Sequence, residues 1–361
     1  VRSTPGLTPL IGIVNVGVMI VAAVVLLVHP LGGDDEPTTG QVTAPSPQPS
    51  PTATPTREPQ RASAESARRV RANELGMVPV LMYHRILRKP VASIDRTPSQ
   101  LRRELERLAK GGYVPITAAQ YASGAIDVPA GAHPVVLSFD DGHPSHFALG
   151  PDGAPVPDTV VAVLYDVAAR FPGFRPVATF WINKTPFGLR DRERQAQAVR
   201  WLVEHGFEVA NHTYSHPDLR RLRTKKVNEA IVRGERLVTS LGAPPSYTFA
   251  LPYGSRPKKR SAARKGKWDG TSYAYRAVFM AGSEPSVSPY AKTFDPYNIP
   301  RIQANGKKGE CRRWCSEYWL GWLDKHPDRR YTSDGDPTRV SMPRRFKGKI
   351  QAKFREAMIA Y

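Results

Sequence analysis

Apolar and polar positions along this chain repeat with two different periods, and the switch between them marks its elements. "VPVLMYHRI" (78–86) is a short apolar run ending at Tyr83 and His84, and "PVVLSF" (134–139) is another that runs into Asp140 and Asp141. "RPVATFWI" (175–182), "FEVANHT" (207–213), "SYTFAL" (246–251) and "YRAVFM" (275–280) share that length and character and predict strands. Between them the spacing lengthens to that of a helix. "TPSQLRRELERLAKGGY" sets Leu101, Leu105 and Leu108 on one face, with Thr97 as N-cap, Pro98 in the first turn, Gln100 at the capping-box position and Gly111 as the stop. "VPDTVVAVLYDVAARF" and "RDRERQAQAVRWLVEHG" predict two more helices, the second with Ala196, Val199, Leu202 and Val203 on one side. "TKKVNEAIVRGERLVTSLG" starts from a Thr224 cap and aligns Val227, Ile231, Val238 and Leu241, and the final "FKGKIQAKFREAMIAY" reads as an amphipathic basic helix.

Strands that alternate with amphipathic helices point to parallel βα units. Several such units from residue 77 onward predict an α/β domain, a distorted and incomplete (β/α) barrel. In that architecture reactive groups gather at the carboxyl ends of strands. Here those ends deliver Tyr83–His84, Asp140–Asp141–Gly142, "NHTYSH" and "LPYG" to one face. Two adjacent carboxylates repel, so the acid pair is a solvated turn, a helix start, or a site where one acid holds a cation and the other moves a proton. His212 and His216 are four residues apart, a spacing that on a helical turn aims both rings at one ion. Two imidazoles and one carboxylate suit a catalytic Zn²⁺ or a similar divalent ion with positions left for water.

The three pieces "SFDDG" (138–142), "NHTYSHPDL" (211–219) and "LPYGS" (251–255) resemble, in order and spacing, the polysaccharide deacetylases of carbohydrate esterase family 4. The resemblance spans roughly Val78 to Ile302. "VPVLMYHRI" is similar to the circularly permuted branch that includes deacetylases of poly-β-1,6-N-acetylglucosamine, in which the acid histidine stands near the start of the domain. The resemblance implies that Asp141, His212 and His216 hold Zn²⁺ (or Co²⁺, Ni²⁺ or Fe²⁺) and that Asp140 is the general base. It also implies that Pro252 and Tyr253 form the oxyanion and substrate side, through the Tyr253 backbone N–H. A leaving amine needs an acid; His84 matches the permuted branch, with His326 in "DKHPDRRY" as the alternative. Family members often carry an arginine two residues before the proline of "LPYG". This chain has Ala250 there, and Arg85 and Arg301 are the candidate replacements.

The remaining stretches set context. Of 361 residues, 1–32 hold an apolar run from Leu10 to Val28, close to the roughly 20 residues that span a bilayer. Arg2 before it and Asp34, Asp35 and Glu36 after it favour an N-in, C-out anchor, with a cleaved secretion signal as the alternative. Residues 33–76 comprise a Pro/Thr/Ser-rich spacer without a core-forming residue pattern and the charged lead-in that ends it. Residues 77–304 form the catalytic domain and 305–361 an extension packed on it. The predicted location is therefore the extracellular face of a membrane. A formal charge of +20 fits an anionic wall polymer or membrane surface. Nucleic acid is not expected, since "RPKKRSAARKGK" (256–267) lacks interleaved aromatics. That stretch is either a solvated surface or a docking site for an anionic glycan.

Three further readings stay open. Cys311 and Cys315 form a local disulfide or remain two thiols. The loop with His143, His146 and Asp152 faces substrate, holds a second metal, or is a plain insertion. Trp314, Tyr318, Trp319 and Trp322 are core or a sugar-stacking surface. The expected function is metal-dependent removal of N-acetyl groups from an extracellular N-acetylhexosamine polysaccharide. An O-acetyl esterase acting on a wall polymer and a non-catalytic glycan-binding domain are the alternatives.

Overall fold

The computed structural model describes residues 61–361. The expected membrane or signal segment and the proline-rich spacer lie outside the described residues. Among the described residues no helix is long and apolar enough to cross a membrane.

In chain order the elements are α1 (Ala64–Arg69), β1 (Val80–Tyr83), α2 (Pro98–Lys110), β2 (Tyr113–Ile116), α3 (Ala118–Ser123), β3 (His133–Asp141) and α4 (Val160–Arg170). They continue as β4 (Thr179–Ile182), α5 (Arg192–Glu204), β5 (Glu208–Asn211), α6 (Thr224–Ser240), β6 (Thr248–Ala250), β7 (Lys265–Trp268), β8 (Thr271–Ala274) and β9 (Ala277–Phe279). Last come β10 (Ile302–Gln303), α7 (Ser316–Lys325), β11 (Val340–Met342) and β12 (Met358–Ala360). The main sheet is all parallel in the order β10-β1-β3-β4-β5-β6-β9, with β2 also paired to the long β3. Its two ends meet through isolated parallel bridges, Phe279 to Ile299 and Gly282 to Ile302. The sheet is thus a curled ring with a weak seam, the α/β distorted barrel that the alternating pattern predicts.

Period-two alternation sorts the strand residues. Leu81, Tyr83, Leu137, Phe139, Phe180, Ile182 and Val209 point outward and form one core with the apolar faces of α2, α4 and α5. Val80, Val136, Trp181, Ala210 and Ala250 point inward with Tyr121 and with Tyr331, Val340, Met342 and Ile350 of the C-terminal extension. The capping box at Thr97 and Gln100 starts α2 as expected, whereas α6 begins at Thr224 behind an Arg223 N-cap that makes no side-chain cap bond.

The C-terminal expectation fails as well. The last sixteen residues are not an α-helix but 3₁₀ turns at Arg344–Lys349 and Ala352–Phe354, followed by β12. The four-residue apolar spacing does mark a buried side, since Phe346, Ile350, Phe354 and Met358 all pack on the inner core; Gly348 and the tighter turns replace the helix. The charged lead-in forms α1 behind a Ser63 N-cap and then joins the domain. The Glu74 side chain is buried, accepts hydrogen bonds from the Tyr331 hydroxyl and the Ser341 N–H, and ties the lead-in to the extension.

Trp314, just before α7, is 55% exposed, and Tyr318, Trp319 and Trp322 are half-buried in edge-to-face contact, with Trp319 packed against the outer core. Cys311 and Cys315 are disulfide-bonded.

Candidate active site

The inward positions near the carboxyl ends of β1, β3 and β5 lead to His84, Asp140 and His212. Asp140 is 3% exposed and lies against the fully buried Arg301. The guanidinium donates to both carboxylate oxygens, Nη1 to Oδ1 at 2.6 Å and Nη2 to Oδ2 at 2.7 Å. Arg301 is itself fixed: Nε donates to the Met280 carbonyl at 2.9 Å, and the charge sits 4.9 Å from the centre of the Trp181 ring. Burial pushes the Asp140 carboxyl up, but the Arg301 charge, then His212 and the Arg301 hydrogen bonds, outweigh it and hold the group well below the usual carboxylate range. Of the two candidate replacements for the arginine absent at Ala250, Arg301 is the one that reaches Asp140. Arg85 does not, because it pairs with Asp95 at 2.8 Å.

Asp141 leaves the alternation. Its φ of 75° turns the chain left-handed and swings the side chain to the rim. There Oδ1 lies 3.6 Å from His212 Nε2, 3.4 Å from His216 Nε2 and 3.4 Å from Asn183 Nδ2. The donor atoms of Asp141, His212 and His216 all fall within 4.8 Å of one another. His212 Nδ1 contacts the Ala250 carbonyl at 2.8 Å, so its proton is used there and Nε2 faces the cluster as a bare lone pair. Burial pushes the His212 imidazole below its usual range, which favours the neutral, ligating form. Two imidazole nitrogens and one carboxylate converging at these separations fit a divalent cation.

The expectation that a helical turn aligns the two histidines is incorrect. Residues 212–216 form a loop after β5, with Thr213 at φ 65° and His216 at φ 52°. The loop is held by Asn211, whose Oδ1 accepts the Thr213 N–H at 2.7 Å and whose Nδ2 donates to the Ile231 carbonyl and the Tyr275 hydroxyl. Gly234 of α6 permits this approach, since a Cβ there would stand 2.2 Å from Asn211 Oδ1. Tyr253 is a further left-handed residue, φ 56°, with its ring 69% exposed and packed 4.4 Å from His216; Pro252 before it is buried. Left-handed backbone costs roughly 1–2 kcal/mol per non-glycine residue, so strain is concentrated at this rim.

His84 Nε2 lies 3.9 Å from Asp140 Oδ2, and its Nδ1 is buried without a partner. The other candidate acid, His326, ends α7 with Nδ1 on the Trp322 carbonyl and its ring stacked on Trp322; no contact joins it to the cluster. His143 and His146 do not form a second metal group among the described residues. His146 is buried and its Nε2 meets the His84 carbonyl at 2.6 Å, while His143 Nδ1 meets the Ser145 hydroxyl. The basic stretch 256–267 inserts Ala262 and Ala263 into a small core and leaves its lysines exposed. Sequence reasoning missed Asn183, although it too ends a strand, β4, and the same strand-end logic reaches it.

Comparison with known proteins covers part of the chain. Residues 127–267 match the family model described as polysaccharide deacetylase. Over 128 residues the chain is 31% identical to a chitooligosaccharide deacetylase of Bradyrhizobium sp. (strain ANU 289), covering 36% of this chain and 48% of that relative. Over 108 residues it is 32% identical to a chitooligosaccharide deacetylase of Sinorhizobium fredii (strain NBRC 101917 / NGR234), covering 30% and 40%. The chain thus spans about half or less of the length of these curated relatives. Among solved structures, the Streptococcus pyogenes deacetylase PplD in complex with acetate superposes with a TM-score of 0.48 at 18% identity, covering 63% of this chain and 91% of that one. IcaB from Ammonifex degensii gives 0.45 at 19% identity, covering 64% and 93%. The segment that carries the acid pair, both histidines and Tyr253 matches the polysaccharide deacetylases.

Proposed function

We propose that this protein is a divalent-metal-dependent N-deacetylase of an N-acetylhexosamine polysaccharide, acting outside the cytoplasm. The observation that carries the reading is the pairing of an ionised, arginine-clamped Asp140 with the adjacent three-donor cluster of Asp141, His212 and His216. A divalent ion on those donors would lower the pKa of a bound water towards neutrality and polarise a carbonyl oxygen, so that even a weakly basic carboxylate suffices.

Asp140 accepts the proton of the attacking water. Arg301 keeps the carboxylate ionised and fixes its plane. The Tyr253 backbone N–H donates to the oxygen of the acetamide carbonyl as charge develops there. His84, close to the same carboxylate, supplies the proton that the departing sugar amine needs. The exposed Tyr253 ring offers the sugar a flat face. The placement of His84 at the end of β1 supports the permuted branch over one that uses His326. Placement outside the cytoplasm is supported by the apolar segment 10–28 and by the Cys311–Cys315 disulfide.

The test is acetate release from N-acetylglucosamine oligomers, with an O-acetylated xylo-oligosaccharide measured beside them. Release from the N-acetylated substrate should vanish with a chelator and fall about 10²-fold or more in Asp140→Asn. Full activity of Asp140→Asn, or release from the O-acetylated sugar alone, overturns the assignment.

A further inference from the structure

A groove of about 650 Å³ adjoins the cluster, and its walls are basic. Lys184 follows Asn183, the residue that donates to Asp141, and its N–H donates to the Tyr214 carbonyl at 2.9 Å; Tyr214 lies between His212 and His216 in the chain. Beyond these, Arg190, Arg192, Arg233 and Arg236 line the groove, and no carboxylate does. Only Arg236 has an acidic partner, Asp269 at 2.8 Å; among the described residues Lys184, Arg190, Arg192 and Arg233 form no ion pair. Arg192 is held by the Gln195 and Ser240 side chains. Arg233 sits over the Tyr214 ring at 4.4 Å and Arg236 over the Trp268 ring at 5.4 Å, so two guanidinium groups are already oriented.

Like charges gathered in one groove repel, and the arrangement costs stability unless an anion offsets it. Arginine forks match the geometry of carboxylates and phosphates. A neutral sugar chain would need none of this. A lipid surface fits less well, because the groove offers no free apolar side chain to enter a bilayer: Leu237 is buried, and the half-buried Tyr214 and Trp268 rings lie under Arg233 and Arg236.

We propose that the groove binds acidic groups on the glycan residues next to the reacting acetamide. The substrate is then an anionic N-acetylhexosamine polymer, bearing carboxylates or phosphodiesters, rather than a neutral chitin-like chain. The choice of substrate rests on the deacetylase reading; the binding of acidic glycans does not.

The experiment measures equilibrium binding and acetate release together. Its probes are a neutral chitin hexasaccharide, a hyaluronan hexasaccharide, an N-acetylglucosamine-bearing glycerol-phosphate oligomer, and phosphatidylglycerol vesicles. At about 50 mM salt, one or both acidic glycans should bind about tenfold or more tighter than chitin. The gap should narrow with added salt and close in Arg190→Gln/Arg233→Gln, two exposed positions whose circular dichroism should match the parent. Comparing the two acidic glycans tells whether carboxylate or phosphate is recognised. Equal affinity for acidic and neutral chains, an unchanged preference in the double variant, or vesicles bound as tightly as the glycans overturns the proposal. Groove-dependent binding of acidic glycans with no acetate released from any sugar sustains the groove and rejects the deacetylase reading.

Discussion

Arg301→Met removes a buried charge while keeping most of the stem that packs inside the ring. Its effect follows from the two contacts of 2.6 and 2.7 Å to Asp140. Two unit charges about 4 Å apart attract by about 4 kcal/mol at an effective dielectric near 20. Breaking one side of a buried pair costs about 3–5 kcal/mol, because the remaining charge has nowhere to go. Asp140 is 3% exposed, so water does not easily take the place of the guanidinium. We expect a loss of about 3–5 kcal/mol and a melting temperature lower by roughly ten degrees. Urea unfolding at pH 7 in the presence of a chelator isolates the term from metal binding. Asp140→Asn added to Arg301→Met should recover part of the loss, since the stranded charge is gone. A single variant within about 1 kcal/mol of the parent, or a double variant no more stable than the single one, would refute the argument.

Gly234→Ala should place a methyl 2.2 Å from Asn211 Oδ1 and 2.9 Å from the Thr213 backbone, costing about 1–3 kcal/mol and weakening Zn²⁺ binding in calorimetry; unchanged melting and affinity would show that the loop has room. The pH dependence of stability follows from two buried histidines. Burial, aided by the nearby Arg330, pushes His133 down to about 4, and burial does the same to His146. Both stay neutral in the folded chain while the unfolded chain takes up protons below about 6.5. Each contribution is thus complete above pH 6.5 and is lost as pH falls towards 4, at about 3 kcal/mol apiece. His133→Gln should remove about half of that pH-dependent loss in denaturant titrations between pH 7 and 4.5, and an unaltered slope would show that His133 is protonated in the folded chain.

Much of the site was readable because period-two alternation fixes which strand residues face inward. Knowing that β3 runs into Asp140 is enough to expect that acid inside the ring, whereas Asp141 reaches the rim only because its left-handed backbone breaks the alternation. The partner of Asp140 was not readable to the same degree. Arg301 lies 161 residues further along the chain, and nothing local distinguishes it from Arg85, which is nearer in sequence yet spends its charge on Asp95. The histidine loop shows the opposite failure. Its four-residue spacing is satisfied by left-handed residues instead of a helix, and sequence spacing alone does not separate the two. The C-terminal stretch kept its buried side while losing its helix, since Phe346, Ile350, Phe354 and Met358 constrain burial more tightly than backbone geometry.

The seam of the ring carries a lesson for anyone trimming the chain. The segment from Ile299 to Gln303 joins β9 to β1 and brings Arg301 with it, while His84 comes from the first strand. A fragment cut back to 127–267 would keep the cation donors yet forfeit both the clamp and the proton source. Such a piece should be inert towards any sugar.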